Sequence, residues 1–213
     1  MTDWLKIGCR QLLLVPAVCI LMMLPATAET TEELAEIANR LESKPVVRVS
    51  FSQARHMEIL SKPIVTEGRL VFAESHGIAW LIEAPFQTQL ALTETHVTEW
   101  DGTDDRRRTP LSARPGLASL VSILIPLLAV DFEELEESFF VEAMVTDAGW
   151  QAVLTPRNAG MAEIISSIDI SGDSFVRELS VREKGGDWTN LLFGAYSPTS
   201  DRLTIEELAY FAE

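Results

Sequence analysis

The residues in this chain best suited to chemistry are three histidines, a run of carboxylates, an arginine triplet and one Gly-Asp-Ser tripeptide. His56, His76 and His96 stand twenty residues apart. Zinc needs three or four convergent ligands, but no second histidine or cysteine accompanies any of them, and they fall on separate strands or turns. No metal site is expected. Glu133, Glu134, Glu136 and Glu137 form a run rather than a facing pair of carboxylates, so a solvated or partner-docking face accounts for them better than acid–base work. Arg106-Arg107-Arg108 stands out in so acidic a chain. It could meet a phosphate or head group, but beside Asp104 and Asp105 it reads as a solvated loop. Gly172-Asp173-Ser174 starts like an esterase motif, yet it lies between two strand patterns where a turn explains it. The sequence contains no Gly-x-Ser-x-Gly elbow, phosphate loop or His-Glu-x-x-His. No catalysis and no cofactor are expected.

What remains is chemistry by apolar burial. Phe51, Leu70, Phe72, Trp80 and Leu81 lie on strand-like segments, and alternation puts Leu70 and Phe72 on one face. Leu120, Leu124 and Leu128 lie in Leu117–Val130, a run apolar except for Ser119, Ser122 and a potentially helix-kinking Pro126. A helix with so little amphipathic character is buried on most sides or covers something greasy. One acyl chain has about a dozen methylenes, each worth roughly 0.8 kcal/mol out of water. A cavity covering most of one chain could therefore reach about micromolar affinity after the costs of association. The plain alternative is an ordinary core filled by these same side chains.

The elements that would position them follow from periodicity. Thr30-Thr31-Glu32-Glu33 reads as a capping box, and Leu34, Ile37, Ala38 and Leu41 form one helical face. From Val46 the period changes to two, with Val47, Val49 and Phe51 alternating with Val46, Arg48 and Ser50. Segments 54–62, 65–72, 77–83, 87–92 and 96–100 continue as strands, with Trp100-Asp101-Gly102 as a hairpin signal. The absence of crossover helices makes this an antiparallel meander. A charged loop at 104–108, a Pro/Gly-rich hinge at 110–116 and the apolar helix interrupt it, and an acidic segment at 131–137 follows. Strands resume at 138–146, 150–155, 162–170, 175–182 and 188–196, and 204–211 closes the chain as a short helix or final strand.

Composition narrows the class further. Lys6 and Arg10, the apolar run 12–24 and Ala26-Thr27-Ala28 form a signal-peptide pattern over residues 1–28, leaving 29–213 as one domain. Export to the periplasm is expected. Both cysteines, Cys9 and Cys19, lie in that leader, so the exported part has no thiol chemistry and no disulfide. The net charge of −15 argues against nucleic acid and against broad contact with anionic membrane surfaces.

Several short patterns now combine. Phe51-x-Gln53-x-Arg55, Lys62-Pro63, Gly68-x-Leu70-x-Phe72, Gly77-x-x-Trp80 and Pro85-Phe86 are followed by the apolar segment. Then come Trp150-x-x-x-Leu154-x-Pro156, and Ile168-x-Ile170 leading into Gly172. In this order they resemble the outer-membrane lipoprotein carriers of the LolA type, specifically a divergent LolA-like branch. The resemblance implies an α+β, mainly antiparallel fold: an incomplete, half-open β-barrel covered by a helical lid over an apolar cavity. It also implies a monomeric periplasmic shuttle that binds acylated cargo, a lipoprotein or lipid. The shuttle would take that cargo from an inner-membrane exporter to an outer-membrane acceptor, with Phe51, Leu70, Phe72, Trp80, Leu120, Leu124 and Leu128 as candidate lipid-binding residues. The classical carriers place a basic residue and proline after the strand ending here at Phe72, where this chain has Ala73-Glu74-Ser75. That departure implies a different acylated cargo. The alternative is a periplasmic protein-interaction or sensory domain using the same half-barrel without lipid.

Overall fold

The computed structural model describes residues 27–101, 105–197 and 200–212, with side chains from Glu32 onward. Most of the expected leader, 1–26, and Gly102 of the hairpin signal therefore lie outside the described residues. Helix α1 (Thr27–Arg40) is followed by strands β1 (Val46–His56), β2 (Ile64–Ala73), β3 (Gly77–Ala84), β4 (Thr88–Leu92), β5 (His96–Trp100) and β6 (Arg107–Pro110). Helices α2 (Pro115–Ala129) and α3 (Phe132–Ser138) come next. Strands β7 (Phe139–Thr146) and β8 (Gly149–Pro156) lead to a single helical turn α4 (Ala159–Ala162). Then β9 (Ile165–Gly172), β10 (Val176–Glu183), β11 (Trp188–Tyr196) and helix α5 (Ile205–Tyr210) complete the chain.

All eleven strands belong to one antiparallel sheet, ordered β6-β5-β4-β3-β2-β1-β11-β10-β9-β8-β7. Two meanders are joined where β1 pairs with β11, for example Phe51 opposite Phe193 and Gln53 opposite Leu191. The sheet does not close, because β6 and β7 remain at opposite edges. Their connection must cross a face of the sheet, and that connection is α2–α3. This topology explains why the run around α2 is apolar: it crosses the concave face and is buried there with Val47, Val49, Leu70, Phe72 and Trp80. Ser119 and Ser122 do not make a wet side of the helix. Ser119 is 7% exposed, and each hydroxyl donates to a carbonyl of its own helix, Pro115 O at 3.1 Å and Ser119 O at 2.9 Å.

The convex face is covered as well. Val46, Val71, Ala73, Ala79 and Leu81 pack beneath Leu203, Tyr210 and Phe211. The closing segment resolves into a helix because Thr204 and Glu207 form a full capping box. Arg48 pins it with a two-toothed ion pair to Glu207, both side chains 13% exposed.

Three local expectations are corrected, and the acidic segment, read only by its charge, gains an element. Helix α1 begins at Thr27, upstream of the Thr30–Glu33 box, since Ala28 and Glu29 are themselves good helix formers. Segment 54–62 is not a separate strand: β1 runs on to His56, and a turn carrying Pro63 follows. The arginine triplet is not a solvated loop. Arg107 and Arg108 enter β6, opposite Glu99 and Thr98. Arg106 closes the end of α5 by donating to Ala209 O at 2.8 Å and Ala212 O at 3.0 Å, while lying 4.5 Å over the Trp100 ring. The acidic segment is helical, started by the Asp131 carboxylate accepting from Glu134 N–H at 3.0 Å.

Candidate functional site

A cavity of about 490 Å³ lies between the concave face and the N-terminal half of α2. Its floor is made by Trp80, Leu92, Leu179 and Leu191, each 2% exposed or less, and Ile123 lines it from α2. Strand alternation delivers these side chains: Trp80 and Ile82 on β3, Leu90 and Leu92 on β4, Leu179 and Val181 on β10. Leu117 and Leu120 of α2 form the roof.

One end of the cavity is polar. Gln53 and Arg55 follow Phe51 on the inward face of β1, and Thr189 and Glu183 reach the same place from β11 and β10. The Arg55 guanidinium donates to Glu183 at 3.3 Å and lies 3.7 Å from Asp187. Its Nε is buried without a hydrogen-bond partner in the protein, and so is Thr66 Oγ1. Thr66 stands opposite Gln53 across the β1–β2 pair, so both orphaned groups lie on the cavity side of adjacent strands. This end of the sheet also carries the β1–β2 and β3–β4 turns, whose Ile59 and Phe86 are 86% and 81% exposed.

Of the seven residues singled out in the sequence, Trp80 and Leu120 line this cavity. Phe51 packs on Trp80, ring centroids 4.8 Å apart, behind the wall. Leu70, Phe72, Leu124 and Leu128 lie in the packed core between sheet and helix. Sequence reasoning missed the contribution of β4 and β10, and the polar end altogether. The signal for β10 was its alternation of Leu179 and Val181. For Arg55 it was an arginine at the end of an inward-facing strand register.

The other candidates are engaged locally. His56 stacks on Trp188 with centroids 3.7 Å apart, His76 is bonded by Ser75 at 2.8 Å, and His96 by Thr95 at 2.9 Å. Asp173 of the Gly-Asp-Ser tripeptide organises a turn. Burial opposes its charge, but bonds from Arg177 and the Phe175 N–H outweigh that and hold its carboxyl below the ordinary range. In the acidic helix, partial burial and then the neighbouring Asp131, Glu94 and Glu137 charges push the Glu134 carboxyl up. Among the described residues, no helix is long and apolar enough to cross a membrane.

Residues 26–209 match the protein family described as outer membrane lipoprotein carrier protein LolA-like. Among solved structures, the chain is similar to a LolA superfamily protein from Nitrosomonas europaea. That likeness has 8% identity, covers 86% of this chain and 97% of that one, and has a TM-score of 0.48. It is also similar to a DUF1329 family protein from Desulfovibrio piger, at 11% identity, 88% and 97% coverage and a TM-score of 0.46. No curated protein matches the chain.

Proposed function

The chain belongs to the LolA-like family of outer membrane lipoprotein carrier proteins, and from that premise we propose that it carries acylated molecules in the cavity beneath α2. The observation that carries this reading is the cavity itself: about 490 Å³, with a dry aliphatic and aromatic floor, roofed by an apolar helix. Such a space binds by removing methylenes from water at about 0.8 kcal/mol each, with no chemical step required. Trp80 and Leu120 contact the chain in this reading. Phe51, Leu70, Phe72, Leu124 and Leu128 set the wall and roof against which it lies.

The carrier works in the periplasm after removal of residues 1–28. It receives cargo at the inner membrane from an exporter and delivers it to an acceptor at the outer membrane. The exposed Ile59 and Phe86 beside the polar end of the cavity support hand-over there, where a chain would leave the protein for another apolar surface. The test is transfer of a fluorescent acyl lipid between donor and acceptor vesicles separated by a dialysis membrane. A carrier raises the rate in proportion to its concentration. A rate unchanged by the protein would overturn the reading.

A further inference from the structure

Independently of the cavity, we infer that the free edge of β7 is a docking strand for a partner protein's extended segment, in which a basic residue stands between two apolar ones. The segment joins the sheet antiparallel to β7. The two edges of the sheet are built differently. β6 has four residues, and Arg107, Arg108 and Pro110 are exposed on it. A short, charged strand that carries proline resists further pairing. β7 has eight residues and no proline. Phe140 and Met144 project from it half-exposed, and Val153 of β8 stands beside Glu142. Such a strand invites pairing.

Hydrogen bonding shows what this edge lacks. Arg157 N–H donates to Ser138 O at 3.0 Å, so in the β7–β8 register the even-numbered residues of β7 bond to β8. The backbone groups of the odd-numbered residues point away from it. At one end they are closed off, because Phe139 N–H donates to Leu135 O and Phe139 O accepts from Arg157 Nε at 2.8 Å. At the other end Arg40 donates to Thr146 O at 2.6 Å. Between these stops, no other element bonds to the backbone of Val141, Ala143 or Val145 among the described residues. A row of donors and acceptors is left aimed outward.

Cross-strand pairs then set the chemistry of the occupant. The outer face of β7 reads Phe140, Glu142, Met144, and Glu142 has no cation partner among the described residues. An antiparallel strand complements it with lysine or arginine opposite Glu142 and an apolar side chain two residues to either side. A second copy of this chain fits poorly. The register that sets Phe140 against Met144 also sets the two Glu142 side chains against each other, and like charges directly opposite destabilise. The neighbouring registers set Glu142 against Met144 or Phe140. A net charge of −15 opposes self-association further.

A short peptide capped at both ends, Thr-Ile-Ser-Lys-Thr-Phe-Thr, places its lysine opposite Glu142 and its apolar residues opposite Met144 and Phe140. With this peptide in large excess, amide hydrogen exchange followed by NMR should slow at Val141, Ala143 and Val145 and stay unchanged on β6. Exchanging the peptide's lysine for glutamate should weaken binding about fivefold, and Glu142→Lys in the protein should reverse that preference. Ala143→Pro removes an outward N–H without breaking a bond to β8, so it should abolish binding in a folded protein. Glu142→Lys changes only an exposed side chain and serves even if Ala143→Pro fails to fold. Absence of protection, or protection indifferent to the lysine-to-glutamate exchange, would overturn the inference. So would a dimer of the protein alone with its β7 amides protected, which would assign the edge to a second copy. Acyl-lipid transfer has no part in this test, so the carrier reading stands or falls separately.

Discussion

Replacing Glu207 by glutamine should weaken the fold strongly at neutral pH and much less in acid. Glu207 and Arg48 form a two-toothed ion pair at which each side chain is 13% exposed, and this pair fastens α5 to the convex face. The Arg48 bond, against the opposing effect of burial, lowers the Glu207 carboxyl from 4.5 to about 2. A carboxyl depressed on folding contributes stability that is fully present above its unfolded value and lost as pH falls towards its folded one. At about 1.4 kcal/mol per unit, the contribution is about 3 kcal/mol at pH 7 and roughly half of that at pH 3. Glutamine can keep the capping-box acceptor for the Thr204 N–H, now 2.7 Å from Glu207 Oε2, so the loss isolates the charge. Urea unfolding followed by circular dichroism at both pH values reads the difference. A gap between parent and variant that is equal at pH 3 and pH 7, or below about 1 kcal/mol at pH 7, would refute the reasoning.

Two further substitutions probe the backbone. An alanine Cβ at Gly68 would stand 2.0 Å from the Leu81 carbonyl oxygen, so Gly68→Ala should prise β2 from β3 and cost about 3 kcal/mol, measured by the same unfolding. Val130 ends α2 with φ 61° and ψ 34°, a left-handed conformation that disfavours a β-branched residue. Val130→Gly should therefore raise stability by about 1 kcal/mol, seen as a higher thermal midpoint.

Much of the architecture was legible because it rests on local rules. Alternation from Val46 onward, turns at 147–149 and 184–187, and the strand 188–196 all follow from period and turn chemistry, and the antiparallel order follows from the lack of crossover helices. The apolar run of α2 announced burial, and the strand order supplies the reason, since the link from β6 to β7 must cross the concave face. What could not be read is long-range. Arg106 looks like part of a charged loop until α5, a hundred residues later, brings its carbonyls to it. Leu70 and Leu90 look alike as strand leucines, yet one is in the packed core and the other lines the cavity. That difference depends on how far α2 extends over each strand, which no local pattern records. The polar end joins Gln53, Arg55, Glu183 and Thr189 from three strands, and only the register between β1, β10 and β11 assembles it.

The central claim is best tested by native mass spectrometry of the protein released gently from the periplasm, followed by organic extraction of what it holds. The account predicts one acylated molecule per chain, absent from a folded Leu120→Asp variant, because Leu120 roofs the cavity and a carboxylate there cannot sit against an alkyl chain. A clean unliganded mass from the parent protein, with no uptake of any long-chain probe, would contradict it.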